Sequence, residues 1–363
     1  MKNKKKIILS VISVVVILGI IAGVLAVYFT RYHKDENDTE EFYRQNIASV
    51  GYENTIETAY PQTDLYGIIE EHFKSELPEG KTEKKVVVIG YDGCRADIVA
   101  EKQENGAISY LLANGATNNL TYCGGVNYPA ENTQDTSTAP GWCSIVTGTW
   151  ADVNGITGNG ITKTVEPKTL MTSLVEDETI DSAAFITKWK GHFTNSNSTY
   201  KAEKEYCEEN GINVDFELRK NKKDIHTGAM EEITSVECAD FVFIVYEDTD
   251  SAGHDFGFTF NNPVYKVGFN TEDTYGYEVI KAIETRETYN TEDWLIIVTS
   301  DHGGFGTGHG GPSIQKKNDV RCNEQGMELM QSETSLHKQG GFLKENRRND
   351  YVKKIFKRYS YRG

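Results

Sequence analysis

The chain has 363 residues, 38% hydrophobic and 25% charged, enough for one large domain with a sizeable core once the N-terminus is set aside. Its 54 acidic against 38 basic residues give a formal net charge of -16, which argues against a duplex nucleic-acid surface, because phosphate backbones demand a basic footprint. Small phosphorylated substrates stay compatible with that charge, and no internal repeat is evident.

Residues 1–6 form a basic segment containing Lys2, Lys4, Lys5 and Lys6. An uncharged apolar stretch from Ile7 to Phe29 follows, long enough to cross a bilayer as one transmembrane helix. The basic flank predicts a cytoplasmic N-terminus, with everything after Arg31 outside the cell membrane in a single-pass topology. A cleaved signal peptide normally has a shorter apolar region that ends in small residues, whereas this one ends Val24-Leu25-Ala26-Val27-Tyr28-Phe29, so an uncleaved signal anchor is expected. Residues 30–84 are acidic and polar with scattered Tyr, and read as a stalk and linker that then packs against the domain.

The segment 85–315 reads as the catalytic domain. Three apolar runs, Lys85 to Gly90, Asp240 to Tyr246 and Trp294 to Thr299, each predict a buried parallel strand. Each is followed closely by a carboxylate: Asp92, Asp250 and Asp301. In an open α/β sheet functional groups gather beyond the carboxyl ends of strands, so the three are expected to converge. Asp250 belongs to an Asp250-x-x-x-His254 segment, and Ser300-Asp301-His302-Gly303 leads into a glycine-rich run with His309. Thr138-Ala139-Pro140-Gly141-Trp142 predicts a helix start, with Pro140 suited to the first turn. Asp92, Thr138, Asp250, His254, Asp301, His302 and His309 offer only oxygen and imidazole donors, a set that suits zinc and, with more oxygen, manganese or magnesium.

Taken singly, each segment has a plainer reading. An Asp after a strand commonly bonds nearby backbone, a Thr shortly before Pro is helix punctuation, and Asn159 between two glycines suits a left-handed turn. Their joint occurrence, in this order and after these strands, is what carries weight.

Over roughly residues 84 to 312 the set resembles the alkaline phosphatase superfamily, and within it the type I phosphodiesterase/nucleotide pyrophosphatase branch. The resemblance implies a three-layer α/β/α sandwich with a mostly parallel central sheet, here preceded by one transmembrane helix. It implies one divalent metal on Asp250, His254 and His309, and a second on Asp92, Thr138, Asp301 and His302. It makes Thr138 the nucleophile and Asn159, in Gly155-Ile156-Thr157-Gly158-Asn159, a ligand of a phosphate oxygen. Many relatives carry the third His much farther along the chain; here Gly308-His309-Gly310-Gly311 is the nearby candidate.

Metal coordination would lower the hydroxyl pKa of Thr138, and two metals would clamp the attacking and leaving oxygens. Asn159 and backbone N–H groups near Ala139 would donate to the phosphoryl oxygens. A phosphothreonine intermediate would then be hydrolysed by water. The implied function is a membrane-anchored extracellular phosphohydrolase for phosphodiester or pyrophosphate bonds in a nucleotide, a diester or a lipid headgroup, with two zinc ions expected. Rival readings are a phosphomonoesterase, a headgroup phosphotransferase and a non-catalytic surface binding protein. A sulfatase would need a Cys or Ser nucleophile in a C-x-P-x-R type segment, which Thr138 to Trp142 does not offer. Trp142 and Lys188-Trp189-Lys190 lie where leaving-group contacts could arise, although an aromatic beside a helix start is more often core.

Six cysteines, Cys94, Cys123, Cys143, Cys207, Cys238 and Cys322, would lie in an oxidising compartment where disulfides persist, with no pairing readable. Cys94 and Cys143 are expected as small buried residues near the site. After Gly310-Gly311-Pro312 the pattern changes: residues 316–363 are polar and basic, and no apolar strand is legible. Back-translating Gln315 to Cys322 with A-rich Lys codons gives a long adenine run, and removing one base yields Gln-Lys-Arg-Met-Thr-Phe-Val. Residues from about Lys317 onward therefore read as a frameshifted tail, with a native solvated basic tail as the alternative.

Overall fold

A computed structural model describes residues 13–23, 40–124, 134–160, 168–194, 198–310 and, in backbone alone, 325–332. The helices are α1 (13–23), α2 (Glu40–Val50), α3 (Asp64–Lys74), α4 (Ala107–Ala113), α5 (Thr138–Thr147), α6 (Ala151–Asn154), α7 (Leu170–Glu176), α8 (Lys201–Asn210), α9 (Lys222–Thr234), α10 (Asp248–Phe256) and α11 (Pro263–Glu284). The strands are β1 (Tyr60–Pro61), β2 (Glu83–Tyr91), β3 (Thr117–Tyr122), β4 (Ala183–Thr187), β5 (Val214–Leu218), β6 (Phe241–Tyr246), β7 (Glu292–Thr299) and β8 (Gln325–Ser332).

All eight strands join one sheet in the order β1-β3-β8-β7-β2-β6-β4-β5. The three strands predicted from apolar runs are its centre: β2 pairs in parallel with β6 (Val88 opposite Phe243) and with β7 (Val88 opposite Ile297). They are central because both of their faces are apolar, and alternation along β2 divides its side chains between two cores. Val87, Ile89 and Tyr91 pack with α4, α9 and α11 on one face; Val86 and Val88 pack with α3, α5 and α7 on the other. Each such buried side chain stabilises the fold by about 1.5–3 kcal/mol. This is the expected α/β arrangement, with helices on both faces of a mostly parallel sheet.

Residues 40–82, read from sequence as a stalk, are built into this domain. β1 pairs with β3 at the sheet edge, α3 buries Leu65, Ile68, Ile69 and Phe73 in the second core, and α2 packs Tyr43 and Ile47 against Ala96 and Leu120. Within the tail, the expectation that no strand follows Pro312 is corrected. β8 lies antiparallel between β3 and β7, with Leu329 opposite both Asn118 and Val298, although its sequence lacks a strand-like apolar run. Residues 311–324 and 333–363, and with them the adenine-run segment and the basic tail, lie outside the described residues.

Among the described residues no helix is long and apolar enough to cross a membrane. Within the stretch read as an anchor, α1 is helical with exposed Val, Ile and Leu side chains, and residues 7–12 and 24–29 lie outside the described set. Cys94, Cys143, Cys207 and Cys238 are buried thiols that form no disulfide, and Cys94 and Cys143 are buried near the site as expected.

Candidate active site

Three adjacent parallel strands deliver three carboxylates to one end of the sheet. Beyond β2, the Asp92 N–H donates to the Tyr246 carbonyl at the end of β6 (2.9 Å), so these two loops start in register. The chain then turns at Gly93, whose φ of +68° lies in the left-handed region. A Cβ there would stand 2.8 Å from Asp250 Oδ1 and 2.9 Å from its Cα, so only glycine lets the Asp92 and Asp250 segments touch. The Gly93 N–H donates to Asp301 Oδ1 (3.2 Å) and the Cys94 N–H to Ser300 Oγ (3.1 Å), which ties the β2 loop to the β7 loop.

Asp250 and His254 share one face of α10 through their i, i+4 spacing. His254 Nε2 lies 3.5 Å from Asp250 Oδ2 and 2.9 Å from His309 Nε2, and His309 Nε2 lies 3.5 Å from Asp250 Oδ1. In the neighbouring group His302 Nε2 is 3.4 Å from Asp92 Oδ1 and 3.5 Å from Asp301 Oδ2. The His254 Nδ1 donates to the Thr307 carbonyl (3.1 Å) and the His302 Nδ1 to the Gly303 carbonyl (2.6 Å). With Nδ1 engaged, each ring turns Nε2 toward the carboxylates, the orientation that metal-binding imidazoles use. The His302 and His309 rings are 4.0 Å apart and join the two groups.

Electrostatics and unmet hydrogen-bonding capacity both call for cations here. Asp92 Oδ1, Asp250 Oδ1 and Asp301 Oδ2 are buried without hydrogen-bond donors. Burial, followed by the charge of Asp92, pushes the Asp250 carboxyl up to about 7 and that of Asp301 well above the usual range. Burial alone would lower the His302 pKa, but Asp301 and Asp92 outweigh it and raise it to about 10. Burial and the nearby His302 and His254 hold His309 down to about 2, which keeps it in the neutral form that ligates metals. Ligand atoms of Asp250, His302 and His309 lie within 4.8 Å of one another, as do those of Asp92, Asp301 and His302. Carboxylates crowded in this way are destabilised by like charge and by desolvation, and divalent ions would relieve both. The residues present fit such ions.

Thr138 opens α5, with Ser137 as N-cap and Pro140 in the first turn as predicted. Its Oγ1 lies 3.5 Å from His302 Nε2. The helix start approaches the β7 loop so closely that a Cβ on Gly141 would meet the Asp301 carbonyl oxygen at 2.6 Å. The exposed Asn159 accepts the Ala139 N–H on Oδ1 (2.8 Å), a contact that uses the oxygen of the amide and not its nitrogen. That contact corrects one expectation, because the Ala139 N–H already has a partner and is not a spare phosphate donor.

The structure thus brings together all seven residues singled out as metal ligands, with Thr138 among them and Asn159 bonded beside it. Trp142 is fully buried, its indole N–H donating to Asp92 Oδ2 (3.1 Å), so it cannot contact a leaving group. Lys188 is committed to Glu247 (2.6 Å), and the Trp189 ring packs on buried His192 (4.8 Å). Sequence reasoning assigned no role to Ser300, which accepts from Cys94 and donates to the His302 carbonyl (2.9 Å). It also overlooked Glu272. That buried α11 carboxylate accepts the Asp248 N–H (2.5 Å), the Thr249 N–H (3.1 Å) and the Thr249 hydroxyl, and so fixes the N-terminus of α10. The signal for Glu272 was present, since Phe269, Glu272, Gly276, Val279 and Ile280 fall on one helical face.

Residues 86–310 match the family model described as type I phosphodiesterase/nucleotide pyrophosphatase, and the chain belongs to that family. No curated protein matches it by sequence. Among solved structures it is similar to murine ectonucleotide pyrophosphatase/phosphodiesterase 5, at 20% identity over 60% of this chain and 57% of that one, TM-score 0.43. An inactive form of the same murine protein in complex with AMP gives 19% identity over 61% and 57%, TM-score 0.43. The human counterpart gives 16% identity over 60% and 57%, TM-score 0.40. The chain therefore spans 57% of the length of these structures.

Proposed function

We propose that this protein is a metal-dependent phosphodiesterase that cleaves phosphodiester or pyrophosphate bonds of a small substrate, nucleotides first, through a phosphothreonine intermediate. The observation that carries this reading is the convergence of the Thr138 hydroxyl, at a helix N-terminus, with two overlapping carboxylate–imidazole groups. Family membership supports the reaction class.

Asp250, His254 and His309 would hold one divalent ion, and Asp92, Thr138, Asp301 and His302 a second, with zinc favoured by the three imidazoles. Bound there, the ions activate the hydroxyl and neutralise charge on the phosphoryl oxygens. Thr138 Oγ1 forms the new bond to phosphorus as the bond to the leaving oxygen breaks. Water then cleaves the Thr138–phosphorus bond, which restores the hydroxyl and releases the monoester. Asn159, its Oδ1 anchored by the Ala139 N–H, presents its amide nitrogen to a phosphoryl oxygen. The N-terminus of α5 adds the positive end of a helix dipole at the same place.

We also place the domain outside the cell, tethered by residues 7–29. The uncharged apolar stretch behind four lysines supports this, and alkaline extraction that releases the protein from membranes would overturn it. The function is tested by assaying the full chain on chromogenic diester and monoester substrates with zinc or manganese. Metal-dependent diester cleavage lost in Thr138→Ala is expected. A folded, metal-loaded protein that turns over neither substrate, or a Thr138→Ala variant with undiminished activity, contradicts the proposal.

A further inference from the structure

We propose that Trp142 is a positioning residue for one half of the metal centre: its indole N–H pins one oxygen of Asp92, so that the other is presented with Asp301 and His302 to a single ion. The inference rests on the metal reading above and adds a residue outside the ligand set.

An indole N–H is a donor only, and when buried it must find an acceptor. Trp142 is fully buried and donates to Asp92 Oδ2 at 3.1 Å. The opposite oxygen, Oδ1, is buried without a hydrogen-bond donor, 3.4 Å from His302 Nε2. The carboxylate is thereby made asymmetric, with one oxygen held by the protein and one left for a ligand.

The ring that does this is itself held. Phe243 packs edge-on against it at 5.6 Å and 88°. Gly90, two residues before Asp92, makes room for it, since a Cβ at that position would overlap Trp142 Cη2 and Cζ3. Trp142 also stands four residues after Thr138 on α5, on the same helical face. One helix therefore carries both the proposed nucleophile and the group that orients Asp92, so a displacement of α5 would disturb both together.

Partners that orient a ligand typically contribute about 10- to 100-fold in metal affinity. Trp142→Phe keeps an aromatic ring and removes the N–H. Zinc is titrated into the chelator-stripped full chain in competition with a chromophoric chelator, and folding is checked by circular dichroism and thermal unfolding. Two zinc ions per wild-type chain, with one of the two affinities about 10- to 100-fold weaker in the folded variant, is the expected result. Unchanged affinities, or equal weakening at both sites, overturn the positioning role while two zinc ions in the wild type leave the metal reading standing. Fewer than two zinc ions in the wild type overturn the reading on which both rest. Should Trp142→Phe not fold, 3-benzothienylalanine at position 142, which keeps the bicyclic ring and exchanges N–H for sulfur, decides by the same criteria.

Discussion

Removing the carboxylate of Asp97 should cost as much stability as truncating a large core side chain. Arg95 and Asp97 are both fully buried. The guanidinium donates through Nε to Asp97 Oδ1 and through Nη2 to Oδ2, each at 2.9 Å, and through Nη1 to the Phe258 carbonyl at 2.6 Å. Phe258 lies just beyond α10, which bears Asp250 and His254, so this pair ties the Asp92 loop to the segment holding the other ligand group. Asp97→Ala breaks this buried ion pair by removing one partner, a change that costs about 3–5 kcal/mol. At about 2–4 °C per kcal/mol for a domain of this class, the unfolding midpoint should fall by roughly 6–20 °C. Replacing both partners with apolar residues, Arg95→Met with Asp97→Leu, should restore much of that loss because neither charge of the pair remains buried. Thermal and urea unfolding of the single and double variants measures this. A loss below about 1 kcal/mol in Asp97→Ala, the size typical of exposed pairs, would refute the reasoning.

Three further outcomes are expected. Gly93→Ala forces an alanine into the left-handed region, at about 1–2 kcal/mol, and presses its Cβ on Asp250, so metal analysis should show fewer zinc ions per chain alongside a lowered unfolding midpoint. Asn159→Ala removes an exposed donor together with the acceptor of the buried Ala139 N–H, so steady-state kinetics should show kcat reduced about 10²–10³-fold with a melting temperature lowered by a few degrees. Burial, only partly opposed by Asp92, lowers the His192 pKa to about 3. The unfolded chain takes up that proton below about 6.5 and the folded chain only near 3, so stability falls as the pH drops through this window, by up to about 1.4 kcal/mol per pH unit. His192→Phe should remove that one-proton slope from a plot of urea midpoint against pH; an unaltered slope would contradict it.

The centre of the fold was legible because β2, β6 and β7 are buried on both faces and so spell out continuous apolar runs, each followed shortly by the carboxylate it delivers. The residues that hold those carboxylates were less legible. Trp142, Ser300 and Glu272 act across contacts between 23 and 206 residues apart in sequence, and tertiary approach alone creates them. Gly90 and Gly93 are informative only once the neighbour that a Cβ would strike is known. The Asn159 motif was recognised, yet its acceptor contact to the Ala139 N–H was not, because residue type cannot tell which end of an amide is in use. Peripheral elements escaped for a related reason. β1 is two residues long and β8 is polar, so their places in the sheet owe more to the strands beside them than to their own periodicity.

The central claim is a covalent intermediate on Thr138, and product partitioning tests it most directly. Diesters with different leaving groups but one common retained group are turned over in water containing a fixed concentration of a small alcohol, and the ratio of hydrolysis to alcoholysis product is measured for each. A shared phosphothreonine forgets its leaving group, so one constant ratio is expected across the series. A ratio that changes with the leaving group would place the acceptor in the first displacement and contradict the nucleophilic role of Thr138.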